Sequence, residues 1–226
     1  MTVASPGTRS VTFAVVVPLK SSSRGKSRLR LPAEQRAALA VAMAGDTLAA
    51  VAAADQVGPV LLVVEDDRDA ARVGPPEIDT LVWTAPGLNR SIAAGARALA
   101  ASGWFLPVAV LPADLPFLQA DELDDALLAT DGQTRVVADG VGSGTTLLTA
   151  SRPGLLRPRF GVDSFARHQR AGAVALLVDR ASGLRRDVDL VSDLASAGAG
   201  RPPGAQTLAA LEVIAATSSA QVTVLP

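Results

Sequence analysis

The chain has no cysteine and a single histidine, His168, in 226 residues. Disulfides, thiolate nucleophiles and cysteine-based zinc sites are therefore excluded, and no cluster of imidazole ligands is available. Aromatic residues make up only 3%, so the core must be packed with small and branched aliphatic side chains, which suits close helix-on-sheet contact. An excess of one charge is also missing. With 21 Lys+Arg against 22 Asp+Glu the formal charge is −1, so no global field recruits nucleic acid or an anionic membrane, and any anion site has to be local. No apolar run approaches the roughly 20 residues needed to span a bilayer. Residues 1–10 hold no apolar segment, so no secretory signal is expected, and a cytoplasmic location is the expectation.

What is present is a chain with 49% hydrophobic residues, long enough for one core burying roughly 70–75% of its unfolded surface. The run Val11–Val17 is continuously apolar, as in a strand covered on both faces. Pro32 then opens a helix over residues 33–53. Further strands are predicted at Val60–Val64, Leu81–Trp83 and Phe105–Leu111, with a charged helix or loop after the first of these. A helix capped by Asn89 is expected to reach about Ala101. Beyond it lie a helix near Asp121–Ala129, strands at Val136-Val137 and Thr146–Thr149, a short helix from Ser164, a strand at Leu176–Val178 and a helix near Val191–Ser196. This alternation implies a three-layer, mostly parallel α/β sheet of Rossmann-like type, whose ligands lie beyond the carboxyl ends of the strands. The expected organisation is a flexible N-terminus over 1–10, a single domain over 11–196, and a Gly/Pro-rich linker with a tail over 197–226 that is either helical or loose.

Three stretches carry the chemistry. The first strand runs into Lys20-Ser-Ser-Ser-Arg-Gly25-Lys26-Ser27-Arg28. Gly25-Lys26-Ser27 matches the second half of a phosphate-binding P-loop, but position 20, where that motif needs glycine, is Lys. A solvated basic loop is one reading. The other is a triphosphate grip, in which Lys20, Lys26 and Arg28 supply charge-assisted hydrogen bonds and Gly25 admits close backbone approach. In the second stretch, Pro112-Ala-Asp114-Leu-Pro116, two prolines stiffen the backbone around a strand-terminal carboxylate. That carboxylate either caps the next helix or holds Mg²⁺ together with substrate phosphates. Asp187 and Asp189 share one face of an extended segment and are candidates to complete the metal site. In the third stretch, Arg157, Arg159, Arg167 and Arg170 surround Gly161-Val-Asp-Ser164, where Ser164 opens a helix whose free N–H groups suit a small polyanion. Nucleic acid is not expected there, because Phe160 and Phe165 are the only stacking aromatics. The turn Gly142-Ser-Gly144-Thr145 is weak evidence alone, since such turns commonly just join strands. Asn89 is the side chain that can be named for nucleotide binding at the base.

Taken in order, Pro18-Leu-Lys20 to Leu29, Gly87-Leu-Asn89, Pro112-Ala-Asp114-Leu-Pro116, Gly144-Thr145, Arg159-Phe-Gly161-Val-Asp-Ser164 and Asp187-Val-Asp189 resemble the phosphoenolpyruvate or 2-phospho-L-lactate guanylyltransferases, which begin the side chain of the deazaflavin coenzyme F420. The resemblance spans about residues 11–195. It implies a nucleotide-diphospho-sugar transferase type of fold, GTP and a small phosphorylated carboxylic acid as partners, and Mg²⁺ as cofactor. It also implies that Thr145, Gly161 and Ser164 bind the phosphoacid. In the reaction expected from it, Asp114, Asp187 and Asp189 hold the metal while Lys26 and Arg28 neutralise the departing pyrophosphate. The related sugar-nucleotide enzymes carry more glycine in the first loop, where this chain has Ser21-Ser-Ser23. Alternatives are another nucleotidyltransferase of this fold, acting on a sugar phosphate or a pterin cofactor, and a non-catalytic nucleotide-binding module.

Overall fold

The computed structural model describes residues 12–21, 26–73, 78–131, 133–195 and 201–222. Its frame grows from the first apolar run. Strand β1 (Phe13–Leu19) is buried along its whole length, and its alternating side chains enter two different cores. Val15 and Val17 meet Leu48 and Val51 of helix α1 (Ala33–Ala52) on one face. Ala14 and Val16 meet Ile92 and Leu99 of helix α3 (Leu88–Ala101) on the other. A strand covered on both sides has no polar face to show, which is why Phe13–Leu19 carries no polar side chain.

Strands β2 (Val57–Val64), β3 (Asp79–Val82) and β4 (Val108–Val110) run parallel to β1. Helix α2 (Asp67–Val73) links β2 to β3, and helix α4 (Ala120–Leu128) covers the α1 face. Strands β5 (Arg135–Ala138), β6 (Thr145–Ala150) and β7 (Val174–Ala175) complete the sheet in the order β3-β2-β1-β4-β6-β5-β7. The chain turns in opposite directions from β1 to β2 and from β3 to β4, so the crevice between the carboxyl ends of β1 and β4 is the switch point where ligands of such sheets bind.

The departures from expectation are local. Strand β6 is antiparallel to both β4 and β5. Its register, Val110 opposite Leu148, brings Thr145 to the level of Pro112–Asp114 and so to the crevice. The helix near residue 89 is capped by Gly87, and Asn89 lies inside its first turn. The last strand is Val174–Ala175, not Leu176–Val178; Leu177 stands almost fully in solvent. Helices α5 (Ser164–Arg170) and α6 (Val191–Ala195) fall where expected.

Of the segment expected to be a flexible linker, residues 197–200 lie outside the described residues; Gly204 N–H donates to Pro116 O at 2.8 Å. The tail forms helix α7 (Ala205–Val222). Asp46 on α1 accepts from Gln206 N–H at 3.0 Å and Thr207 N–H at 2.7 Å, satisfying two of the free amides that open α7. Residues 1–11, which include the N-terminus expected to be flexible, lie outside the described residues. Among the described residues, no helix is long and apolar enough to cross a membrane.

Candidate active site

A cleft of about 580 Å³ opens over the carboxyl ends of β1 and β4. Lys20, Lys26, Arg28, Asp114, Thr145, Gly161, Ser164, Asp187 and Asp189 all line it. Gly25 lies outside the described residues. Asn89 is not in the lining; its carboxamide accepts from Phe160 N–H at 2.7 Å and donates to Phe160 O at 3.0 Å. Both ends of the side chain are thus engaged, and Asn89 braces the Arg159-Phe160-Gly161 turn.

One wall of the cleft is ionic. Asp114 follows β4, and its turn is pinned to α1 because Leu115 N–H donates to Thr47 Oγ1 at 3.0 Å. The 187–189 segment runs alongside, with Val188 N–H donating to Asp114 O at 3.1 Å. Val188 is fully buried while Asp187 and Asp189 face the cleft; the alternation expected of a strand survives, although the segment is irregular coil between two short helical turns. Asp193 Oδ2 accepts from Asp189 N–H at 2.9 Å and Leu190 N–H at 2.7 Å and so holds the segment's end. Lys26 sits in the left-handed region at φ 54° and reaches between the acids. Its ammonium is ion-paired to Asp114, lies 3.0 Å from Asp189 Oδ1 and donates to Val188 O at 2.5 Å. Arg28 adds a contact of 3.3 Å to Asp189.

The electrostatics follow from this crowding. Burial works against the Lys26 charge, but Asp114 and Asp189 outweigh it and hold its pKa above the ordinary lysine value. Asp189 is likewise penalised by burial, yet Lys26, Arg28 and Lys20 bring its carboxyl below the usual range. Asp187 goes the other way: burial, then Asp114, Asp139 and Asp189, outweigh the opposing Lys26 charge and push it up to about 7. Asp114 Oδ1 is buried without a hydrogen-bond partner. Among the described residues no three carboxylate or imidazole side chains converge as a ready metal cage, and the Lys26 ammonium bridges Asp114 and Asp189. The donor set still fits a hard divalent cation: the ligands are all carboxylate oxygens, one of them is buried and unsatisfied, and there are more acids than the local cations balance.

The opposite wall is internally bonded. Asp139, for which no pattern in the sequence spoke, accepts from Gly142, Ser143 and Gly144 N–H at 2.5, 3.0 and 2.8 Å. It thereby shapes the turn that delivers Thr145. A Cβ at Gly144 would collide with that carboxylate. Thr145 and Ser164 are buried, with their hydroxyl oxygens 3.1 Å apart. Behind them His168, only 1% exposed, lies 3.1 Å from Thr145 Oγ1 through Nδ1 and accepts from Arg159 N–H at 2.8 Å through Nε2. Burial, then the Arg159 and Arg167 charges, lower its pKa to about 4 against the opposing Ser164 backbone hydrogen bond. The Phe160 ring packs edge-on against it, with centroids 5.1 Å apart. Gly161 holds φ +123°, a conformation glycine adopts freely, and so turns the chain along the cleft beside Arg167. Sequence reasoning missed Asp139, although its partners are only three to five positions away, because an Asp ahead of a Gly-rich turn is a common turn residue; it missed His168 because its partners Thr145 and Arg159 lie 23 and 9 positions away.

Residues 13–185 match the family described as "Guanylyl transferase CofC like". The phosphoenolpyruvate guanylyltransferase of Salinispora arenicola is 46% identical over 192 residues, covering 82% of this chain and 87% of that protein. The proteins of the same name from Streptomyces coelicolor and Frankia casuarinae are 42% and 40% identical, covering 82% and 84% of this chain and 89% and 75% of their own length. Among solved structures, a Desulfovibrio desulfuricans protein assigned as a nucleotide-diphospho-sugar transferase superposes with a TM-score of 0.62 at 18% identity, over 80% of this chain and 84% of its own. A nucleotidyl transferase from Methanothermobacter gives 0.56 at 15% identity, over 82% and 95%. These structural likenesses carry the fold, a Rossmann-like nucleotidyltransferase sheet.

Proposed function

The chain belongs to the CofC-like guanylyl transferase family, and from that premise we propose that it joins GMP from GTP to phosphoenolpyruvate and releases pyrophosphate, an early step of coenzyme F420 biosynthesis. The observation that carries this reading is the pairing of two unlike walls in one cleft, the ionic wall of Lys26, Arg28, Asp114, Asp187 and Asp189 and the hydroxyl wall of Thr145, Ser164 and Gly161. A triphosphate needs the first, and a small phosphorylated acid fits the second.

In the proposed reaction a phosphate oxygen of the acceptor attacks the α-phosphorus of GTP in line. A new P–O bond forms, the bond to the β-phosphate bridging oxygen breaks, and pyrophosphate leaves with that electron pair. No protein nucleophile or base is required, because a phosphate monoester is already largely deprotonated near neutral pH. The residues therefore work by positioning and by balancing charge. Asp114, Asp187 and Asp189 would hold Mg²⁺, which when bound supplies Lewis-acid neutralisation of the phosphates. Lys26 would turn its ammonium from the carboxylates to the triphosphate, with Arg28 and Lys20 beside it at the cleft mouth. Thr145, Ser164 and the Gly161 amide would hold the acceptor.

The test is pyrophosphate release by the purified chain with Mg²⁺ and GTP, comparing phosphoenolpyruvate, 2-phospholactate and 3-phosphoglycerate with a no-acceptor control. Release dependent on phosphoenolpyruvate is expected. Release dependent only on another phosphoacid would replace the acceptor, and none with any of them in folded protein would overturn the reading.

A further inference from the structure

The hydrogen bonds around His168 have a direction, and one backbone amide sets it. Arg159 N–H can only donate, so Nε2, 2.8 Å away, presents its lone pair. The neutral imidazole then carries its proton on Nδ1, which faces Thr145 Oγ1 at 3.1 Å. The ring is fully enclosed and lies in the field of Arg159 and Arg167, both of which favour the uncharged form.

This bears on the two hydroxyls in front of the ring. Thr145 and Ser164 own two hydroxyl protons between them and stand 3.1 Å apart. One proton is spent on the bond between them. The ring offers Thr145 a donor and so absorbs neither. One hydroxyl proton is therefore left over, and among the described residues no hydrogen bond takes it up. Both residues line the cleft.

We propose that His168 is a positioning residue for the acceptor: its Nδ1–H and Nε2 lone pair fix the Thr145–Ser164 hydroxyl pair as a one-proton donor toward the cleft and tie the Arg159–Gly161 backbone to that pair. The selected ligand group is an oxyanion, a phosphate or carboxylate oxygen with no proton of its own to give. An imidazole of the other tautomer would accept from Thr145 and leave the pair one donor short. The inference rests on the reading of this wall as the acceptor site.

Because His168 is the only histidine, the test runs on the whole, tag-free chain. A long-range proton–nitrogen NMR correlation of the imidazole reads the tautomer directly, without and with phosphoenolpyruvate. The Nδ1–H form is expected, with its resonances moving on addition of the acid. Kinetics supply the second readout. His168→Gln is expected to raise KM for phosphoenolpyruvate roughly tenfold or more and leave KM for GTP unchanged. On a Thr145→Val background the same substitution should add only a smaller loss, the part that comes from the Arg159–Gly161 backbone, since its action through the hydroxyl pair is already gone. An Nε2–H tautomer overturns the proposal, and being measured on the wild type it decides the matter even where a variant fails to fold. Equal losses toward GTP and acceptor, an unchanged acceptor KM, or a full additional loss on the Thr145→Val background in folded protein also overturn it. A wild-type chain that turns over no phosphorylated acid is a different result, and overturns the function proposed for the cleft.

Discussion

On the wall behind β1 and β4, three aspartates share one another's field, one Lys26 ammonium serves two of them, and a buried Asp114 oxygen has no partner. On the wall made by β6 and α5, Thr145, Ser164 and His168 bond one another and the Arg159 backbone, and Asn89 of α3 braces Phe160 from behind. The first wall is poised for charge it does not yet have; the second is organised in advance for a ligand's shape. The contrast matches their proposed tasks. Polyphosphate and its cation bring their own charges, whereas a small acid has to be recognised by a few fixed donors.

Breaking each wall should therefore fail in a different way. The largest effect is expected from Asp114→Ala, which should lower turnover by roughly 10²–10³-fold or more while the folded fraction seen by circular dichroism stays at wild-type level. An active, folded variant would remove Asp114 from the metal set. Asn89→Ala should do the reverse. It leaves Phe160 N–H and C=O without their side-chain partner, costs about 1–3 kcal/mol in urea unfolding, and raises the acceptor KM more than it lowers kcat. Wild-type values for both quantities would show that Asn89 is not the brace.

A smaller effect concerns pH. His168 is bound to stay neutral, with a folded pKa of about 4 against 6.5 when unfolded. Between those values the unfolded chain binds the extra proton, so the ring's stabilising contribution is complete above pH 6.5 and is lost as pH falls toward 4. Unfolding curves of wild type and His168→Gln should converge over that window and stay parallel above it. A difference that is constant through the window would contradict the buried neutral ring.

Much of this was legible in the residues because the signals were local. A carboxylate between two prolines at the end of an apolar run could only stand at a strand's carboxyl end, and Asp187-Val188-Asp189 alternates whether or not its backbone pairs as a strand. Ser164 marks a helix start by its own chemistry. The rest depended on contacts far apart in sequence. Asn89 looks like a cap because Asn often is one, yet its partner is 71 positions away. Strand β6 has an apolar pattern that suits either direction, and only its pairing with β4 makes it antiparallel. Val174–Ala175 pairs with β5 in place of the more apolar Leu176–Val178, since register is decided by the partner strand as well as by hydrophobicity. Helix α7 needed Asp46, 160 positions away, to satisfy its first amides.

Guanylyl transfer is defined by where phosphorus goes, and phosphorus NMR of the intact chain with GTP, Mg²⁺ and phosphoenolpyruvate follows it most directly. The predicted result is a new unsymmetrical diphosphate formed in step with free pyrophosphate, absent when the acceptor is withheld. Orthophosphate in place of pyrophosphate, or GTP and phosphoenolpyruvate both unchanged in folded protein, would contradict it.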